Sequence, residues 1–328
     1  MKIFVTGGSG FVGQNVIPIL IKNGHDVCAL VRSTKSAEKV KKIGAEPIMD
    51  ELTALSKNTE LALKECEVVL HSAAHIDFTY DPKPFYAVNV EATERLLRLS
   101  KNAGVKKFIY ISAAPVVPGS PIVNLSEDEA GSDLPKALYP KTKAIAEKAV
   151  LSAHSKGFQT LSLRPPAIWG PNNHHYQMLF DNVKSGKWRW IGGSHQVLST
   201  IHVKNLASAI LSAMKSEIGG EAFFVTDGDR RSMRKTFGSI MKAHQLDPGD
   251  KELPLGVAVL MAHLFGGIWK LFALKSRPPV APLMIRLMAT EFSVSDEKAR
   301  VKLGYRNVIS FEEGIEELRL NALNNSVM

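Results

Sequence analysis

Apolar residues in the first half of the chain come in short runs, and the stretches between those runs carry apolar positions at helical spacing. Residues 1–6 form an apolar run of strand length, a helical stretch follows and ends at Asn23-Gly24, and residues 27–31 form a second run. Further strand-like runs lie at 47–49, 68–71, 107–112 and 160–163. Helical patterns sit between them, notably 85–103, ending at Gly104, and 139–156, stopped by Gly157. Such alternation predicts a parallel sheet covered by helices on both faces. After Arg164-Pro165-Pro166 the alternation fades: strand-like pieces remain at 200–203 and 222–226, and the final third is mainly helical. Pro18 lies inside the first helix and is expected to bend it. The sequence has no internal repeat and no low-complexity tract.

The join between the first run and the first helix reads Thr6-Gly7-Gly8-Ser9-Gly10-Phe11-Val12-Gly13. Gly7 permits a tight turn, Gly10 lets the backbone approach a pyrophosphate, and Gly13 lets the helix pack closely on the strand. Phe11 and Val12 begin the helix, whose free N–H groups suit an anion. Strand, turn, helix and second strand in this order predict dinucleotide binding. The expected fold is α/β, a doubly wound parallel-sheet Rossmann fold with a smaller, mostly helical C-terminal substrate domain. Residues 1–168 are expected to form the dinucleotide-binding part, with 197–227 returning to it; 169–196 and 228–328 form the substrate-binding part.

Composition narrows the class. The 328 residues can bury a full core, and a 45% hydrophobic content marks a globular chain. The net charge of +9 comes from scattered lysines and arginines, with only short groups such as residues 35–42. No basic stripe or binding module speaks for nucleic acid; an anionic cofactor or membrane surface explains the sign as well. Cys28 and Cys66 are expected to be buried thiols in a reducing compartment, not a disulfide. A core strand at the very start leaves no room for a signal peptide, so the expected location is cytoplasmic, with membrane association as an addition. His71 with His75, and the pair His174-His175, form no metal-ligand set, and no metal is expected.

Tyr139-Pro140-Lys141-Thr142-Lys143 opens the helix after the fifth strand. Of six tyrosines, Tyr139 alone has a lysine four residues later, a spacing that puts both side chains on one helix face. With this motif stand the glycine turn, His71-Ser72-Ala73-Ala74, the Asn-Val-Glu-Ala-Thr of 89–93 and the Leu-Arg-Pro-Pro-Ala-Ile-Trp-Gly of 163–170. Later matches lie at 199–209 and 295–305. On these motifs the chain resembles, over nearly its whole length, the extended short-chain dehydrogenase/reductase family, and looks like its 3β-hydroxysteroid and sterol dehydrogenase branch. The resemblance implies that Tyr139 donates a proton to a carbonyl reduced by hydride. It implies that Lys143 lowers the tyrosine pKa and holds the nicotinamide ribose. A hydroxyl at the end of strand five should polarise the carbonyl. Relatives often carry it where this chain has Ala113, so Ser112 is the candidate, unless the segment is shifted. The resemblance also implies cofactor contacts at Asp50 and Leu52, beside the adenine, and at Ala73, Ala74, Pro166 and Ile168.

An acid at the end of strand two would hold the ribose hydroxyls of NAD. Val31 stands there, followed by Arg32-Ser33-Thr34-Lys35, so Arg32 and Lys35 are candidates for the 2′-phosphate of NADP, with NAD as the other cofactor. Where sugar-nucleotide members usually carry Arg-Asp, this chain has Leu198-Ser199. The expected reaction is therefore NAD(P)-dependent interconversion of a secondary alcohol and a ketone on a small-molecule substrate that is bulky and apolar, steroid- or lipid-like. Two alternatives stay open: a sugar-nucleotide epimerase or dehydratase, and a non-catalytic NADP-binding sensor or scaffold, which the Ala113 gap favours. Residues 253–274 are almost wholly apolar, close to the roughly 20 residues a bilayer span needs. Three glycines and Lys270 speak against spanning. The segment is expected to touch a membrane peripherally or to form an apolar lid on the substrate, with a buried helix as the plain alternative. Trp188, Trp190 and Trp269 are candidates for an apolar pocket or for ordinary core. A homodimer is a further expectation.

Overall fold

The computed structural model describes every residue except Phe78, Tyr80, Ser132, Ala273, 275–284, 286–288, Val327 and Met328; the side chains of His175, Lys270, Asn325 and Ser326 also lie outside the description. Seven strands form the main sheet: β1 (Lys2–Thr6), β2 (Asp26–Val31), β3 (Glu46–Met49), β4 (Val68–His71), β5 (Lys107–Ile111), β6 (Gln159–Arg164) and β7 (Glu221–Phe224). All pairs are parallel, in the order β7-β6-β5-β4-β1-β2-β3. The strand order reverses between β1 and β4, so a crevice opens at their C-terminal ends, where α/β sheets bind ligands.

Side-chain alternation builds a core on each face of the sheet. Ile3, Val5, Ala29, Leu70, Ile109 and Leu161 pack on one face against helices α1 (Phe11–Lys22) and, far along the chain, Val203–Lys215. Phe4, Cys28, Leu30, Val69, Phe108 and Tyr110 pack on the other. There they meet α3 (Lys57–Lys64), α4 (Ala92–Asn102) and α5 (Leu138–Ser152); α2 (Thr34–Lys42) links β2 to β3. The helix Val203–Lys215, α6, is tied down by a cation. The buried Lys107 ammonium donates to the carbonyls of Ala213 (3.1 Å), Met214 (3.0 Å) and Ser216 at the α6 C-terminus.

Several expected elements differ in detail. The helix expected over 139–156 ends at Ser152, because Ser155 and Phe158 exchange backbone bonds of 3.1 and 2.9 Å and turn the chain. The long helix expected at 85–103 is a short α-helix (Pro82–Phe85), a π-helical stretch (Tyr86–Glu91) and α4. The run expected at 200–203 does not join the main sheet; Thr200–His202 pairs with Ala167–Trp169. Cys28 and Cys66 are free and buried, with sulfurs 3.5 Å apart.

Residues of the C-terminal third are mainly helical and reach back through short strand pairs. Trp190–Ile191 pairs with Glu252–Leu253, and Ile122–Leu125 with Phe292–Val294. Trp188 and Trp190 stack edge to face at 5.2 Å beside Met241, as ordinary core. Helix α7 (Leu255–Leu271) is built the reverse of a surface helix. Ala258, Ala262 and Gly266 face inward, while Val257, Leu260, Leu264, Ile268 and Leu271 are exposed. Among the described residues no helix is long and apolar enough to cross a membrane.

Candidate active site

A cleft of about 710 Å³ opens at the C-terminal ends of β1, β2 and β4. Its floor is the turn between β1 and α1, through Thr6, Gly7, Gly10, Phe11 and Val12. Gly7 has φ +74°, and a Cβ there would stand 2.9 Å from Ala73 N and Ser72 Oγ. Gly13 lies behind the cleft: its Cβ would come within 2.4 Å of Gly8 Cα and 2.5 Å of Gly7 O, so only glycine lets α1 approach the turn. Among the described residues no side chain caps the α1 N-terminus. Uncapped N–H groups and a turn with no room for a Cβ at Gly7 fit the pyrophosphate of a nicotinamide dinucleotide, and Arg32 stands on the wall at the end of β2.

The wall at the end of β2 is Val31 and Arg32. Lys35 is exposed and does not line the cleft; Ser36 does. Ser33 caps α2 by accepting from Ser36 N (3.3 Å), and this start sets which residues of the first turn face inward. Asp50 and Leu52, just past the end of β3, line the cleft. The Asp50 carboxylate is already occupied, accepting from Glu51 N (2.9 Å), Ser56 N (2.8 Å), Ser56 Oγ (2.9 Å) and Thr59 Oγ1 (2.6 Å). Although burial opposes it, these bonds hold its pKa below the ordinary aspartate value.

The end of β4 supplies Ser72, Ala73, Ala74 and His75. A buried relay fixes them. Thr93 Oγ1 donates to Asn89 O (2.8 Å), so the His71 Nε2–H donates to Thr93 (2.8 Å) and His71 Nδ1 accepts from Thr6 Oγ1 (2.6 Å). Thr6 Oγ1 in turn accepts from Ala73 N (3.2 Å). His71 is thus the neutral Nε2–H tautomer, and burial, assisted by the Lys143 charge, lowers its pKa to about 3. The π-helical stretch turns Asn89 toward the same loop: Oδ1 accepts from His75 N (2.7 Å), and Nδ2 donates to His75 O (3.1 Å) and Thr142 Oγ1 (3.1 Å).

Tyr139 lines the cleft from the first turn of α5, with Pro166 and Ile168 beside it. Burial pushes its pKa up to about 12. Lys143, one turn on, is buried, donates to Ile111 O (2.6 Å) and lies 4.0 Å from the Tyr110 ring centre. Burial lowers its pKa to about 7, against the pull of Glu147. Glu147 is itself held by Arg164 (2.6 Å) and Ser162 (2.7 Å). Among the described residues the buried Ser112 Oγ has no hydrogen-bond partner, and neither Ser112 nor Lys143 is among the lining residues. Sequence reasoning did not mark Thr6, Ser36, Ser72, His75, Asn173 or Tyr176 as site residues, though all line the cleft. Adjacency to the His71–Ala74 motif was an available signal for His75. No residue of 253–274 lines the cleft, so the expected substrate lid is not formed by the described residues.

Residues 4–255 match the model of the 3-beta hydroxysteroid dehydrogenase/isomerase family. A 4-hydroxy-2-methyl-3-oxo-4-farnesyl-3,4-dihydroquinoline-1-oxide ketoreductase of Stigmatella aurantiaca is 33% identical over 321 residues, 97% of this chain and 96% of its own length. A decarboxylating sterol-4-alpha-carboxylate 3-dehydrogenase of Dictyostelium discoideum is 33% identical, covering 97% of this chain and 99% of its own. Among solved structures, a UDP-glucose 4-epimerase of Thermotoga maritima superposes with TM-score 0.77 at 22% identity, over 100% of both chains. A Bacillus cereus UDP-glucuronic acid 4-epimerase in complex with NAD gives 0.76 at 20%, over 99% of both. At such identities the epimerases share the fold alone. The chain belongs to the 3-beta hydroxysteroid dehydrogenase/isomerase family and is an NAD(P)-dependent oxidoreductase acting on CH–OH groups.

Proposed function

We propose that the protein interconverts a ketone and a secondary alcohol on a bulky apolar substrate of the steroid or lipid kind, preferring NADP(H). One observation carries the reading: Tyr139 lines the same cleft as the glycine turn and Arg32. When bound, the nicotinamide supplies a hydride to the carbonyl carbon or takes one from the carbinol carbon. Tyr139 gives the proton to the developing alkoxide. Lys143 supplies positive charge beneath it, and Ser112 is the hydroxyl nearest in sequence to the place where a carbonyl-polarising group is expected. Arg32 takes the 2′-phosphate; Gly7, Gly10, Phe11 and Val12 take the pyrophosphate. Asp50, its carboxylate engaged, contributes backbone and shape beside Leu52. The division into a dinucleotide-binding part (1–168 with 197–227) and a substrate part (169–196 with 228–328) belongs to the same reading.

The apolar substrate is supported by the printed activities of the farnesylated-quinoline and sterol relatives. The missing Arg-Asp pair at Leu198-Ser199 weighs against sugar nucleotides. A panel of apolar ketones and alcohols, run with NADPH, NADH, NADP and NAD, tests the reading. Turnover of an apolar ketone with NADPH, at lower KM than with NADH, is expected. Arg32→Ala should abolish that preference, since a charge-assisted phosphate contact is worth about 1.5–3 kcal/mol. Turnover of UDP-sugars alone would replace the substrate class, and no turnover at all would favour a sensor or scaffold.

A further inference from the structure

We infer that His75 is a second hydrogen-bond donor to the substrate oxygen, working beside Tyr139. The inference deepens the oxidoreductase reading and rests on it. Hydride addition to a carbonyl breaks the C=O π bond and leaves its electron pair on oxygen. Tyr139 delivers one proton there. A reaction of this kind gains when a second, fixed donor meets the oxygen as its charge develops. The residues around Tyr139 offer few. Ala113 has no polar side chain. Ser112 does not line the cleft, and the Ser72 hydroxyl is spent on Thr6 O at 2.8 Å.

His75 lines the cleft, and among the described residues its buried Nε2 has no hydrogen-bond partner. A buried, unpaired ring nitrogen costs stability unless something else satisfies it. Its setting is rigid. Asn89 clamps both backbone groups of His75, at 2.7 and 3.1 Å, and the ring meets Phe85 edge to face at 4.7 Å. The same Asn89 amide reaches Thr142, whose hydroxyl bonds to the Leu138 and Tyr139 carbonyls at 2.9 and 3.1 Å. One side chain thus fixes the loop bearing His75 against the helix turn bearing Tyr139. Such a bracket suits two groups that act on one atom.

Two substitutions separate donation from packing. His75→Phe keeps a ring against Phe85 and loses the donor; His75→Gln keeps an N–H donor near the Nε2 position. With the ketone that the parent turns over best, His75→Phe should lower kcat/KM about 100-fold. His75→Gln should stay within about tenfold of the parent, and NADPH affinity should be unchanged in both. Parent-like kcat/KM in His75→Phe, or an equal fall in both variants with weakened NADPH binding, overturns the inference. Should the parent turn over no ketone, the oxidoreductase reading fails by itself. Titration of an apolar ketone into NADP-loaded parent and His75→Phe protein then decides separately: weaker binding by the variant supports donation, and equal binding refutes it.

Discussion

Tyr139 is asked to give up a proton at neutral pH, and burial pushing its pKa to about 12 keeps that proton in place until a stronger base appears. Replacing it with phenylalanine retains the ring and removes only the donor. Tyr139→Phe should therefore bind NADPH as the parent does and lose at least ~100-fold in turnover; near-normal rates would remove it from the chemistry. His71 makes a different prediction, about stability. Its folded pKa of about 3 lies below the ordinary 6.5, so below pH 6.5 the unfolded chain takes up a proton that the folded relay refuses. The His71 contribution is complete above pH 6.5 and is lost as pH falls toward 3. Between pH 6.5 and 4.5 the loss is about 2–3 kcal/mol. His202, lowered to about 4 by burial and by Lys204, acts in the same direction. Urea unfolding at pH 7 and 4.5 should register the loss, and His71→Asn, which does not titrate, should shrink the difference; an unchanged difference would assign it to other groups. Single residues also mark the limit of the sequence. Arg32 was legible because a strand end fixes its position. Lys35 was not, because the Ser33 cap decides which residues of α2 turn inward, and that phase is invisible without the cap bond. Asp50 was legible as a residue of the cleft, but its use as an anchor for Ser56 and Thr59 depends on a tertiary turn.

At the scale of elements, the β1 to α1 junction was the most legible part of the molecule, since the constraint is steric and local. Gly13→Ala tests it. The added carbon would meet backbone at 2.4 and 2.5 Å, and backbone has no rotamer with which to yield. Helix and turn must part, so cofactor affinity should fall more than tenfold and stability by about 1–3 kcal/mol, as overpacking does. Gly267→Ala is the matched control, because its Cβ would meet nothing within 4 Å; helix propensity alone should raise stability by up to about 1 kcal/mol. Equal behaviour of the two variants by calorimetry and NADPH titration would refute the steric account. Helix ends and the π-helical stretch were less legible. The stop at Ser152 needs the Ser155–Phe158 turn, and the extra residue in the Tyr86–Glu91 turns serves Asn89, whose partners lie 14 and 53 positions away. Periodicity reports faces, and it carries no record of such distant partners.

For the molecule as a whole, the outstanding feature is the inverted helix α7. Both a lid and an outer face would read as the same apolar run, so the sequence alone did not separate them; the fold turns the small residues inward and leaves the large ones in solvent. Leu260, Leu264 and Leu271 are 59%, 58% and 79% exposed, on one stripe with Val257 and Ile268. Covering such side chains contributes about 25 cal/mol per Å² of apolar area removed from water. A contiguous apolar stripe of this kind marks an interaction surface. We propose a lipid surface as the occupant, because Lys270 stands within this segment of the sequence, Lys275 and Arg277 follow it, and the chain carries a net charge of +9. Basic residues beside an apolar helix suit an anionic bilayer. The full-length protein should co-sediment with vesicles containing phosphatidylserine, more weakly as salt rises and more weakly with neutral vesicles. Leu260→Glu with Leu264→Glu should release it while leaving turnover of a water-soluble ketone unchanged, since neither residue lines the cleft. A homodimer through α7 would instead show as a mass that halves in the double variant, with no vesicle binding by the parent. That result would replace the lipid with a second copy of the chain as the partner of this face.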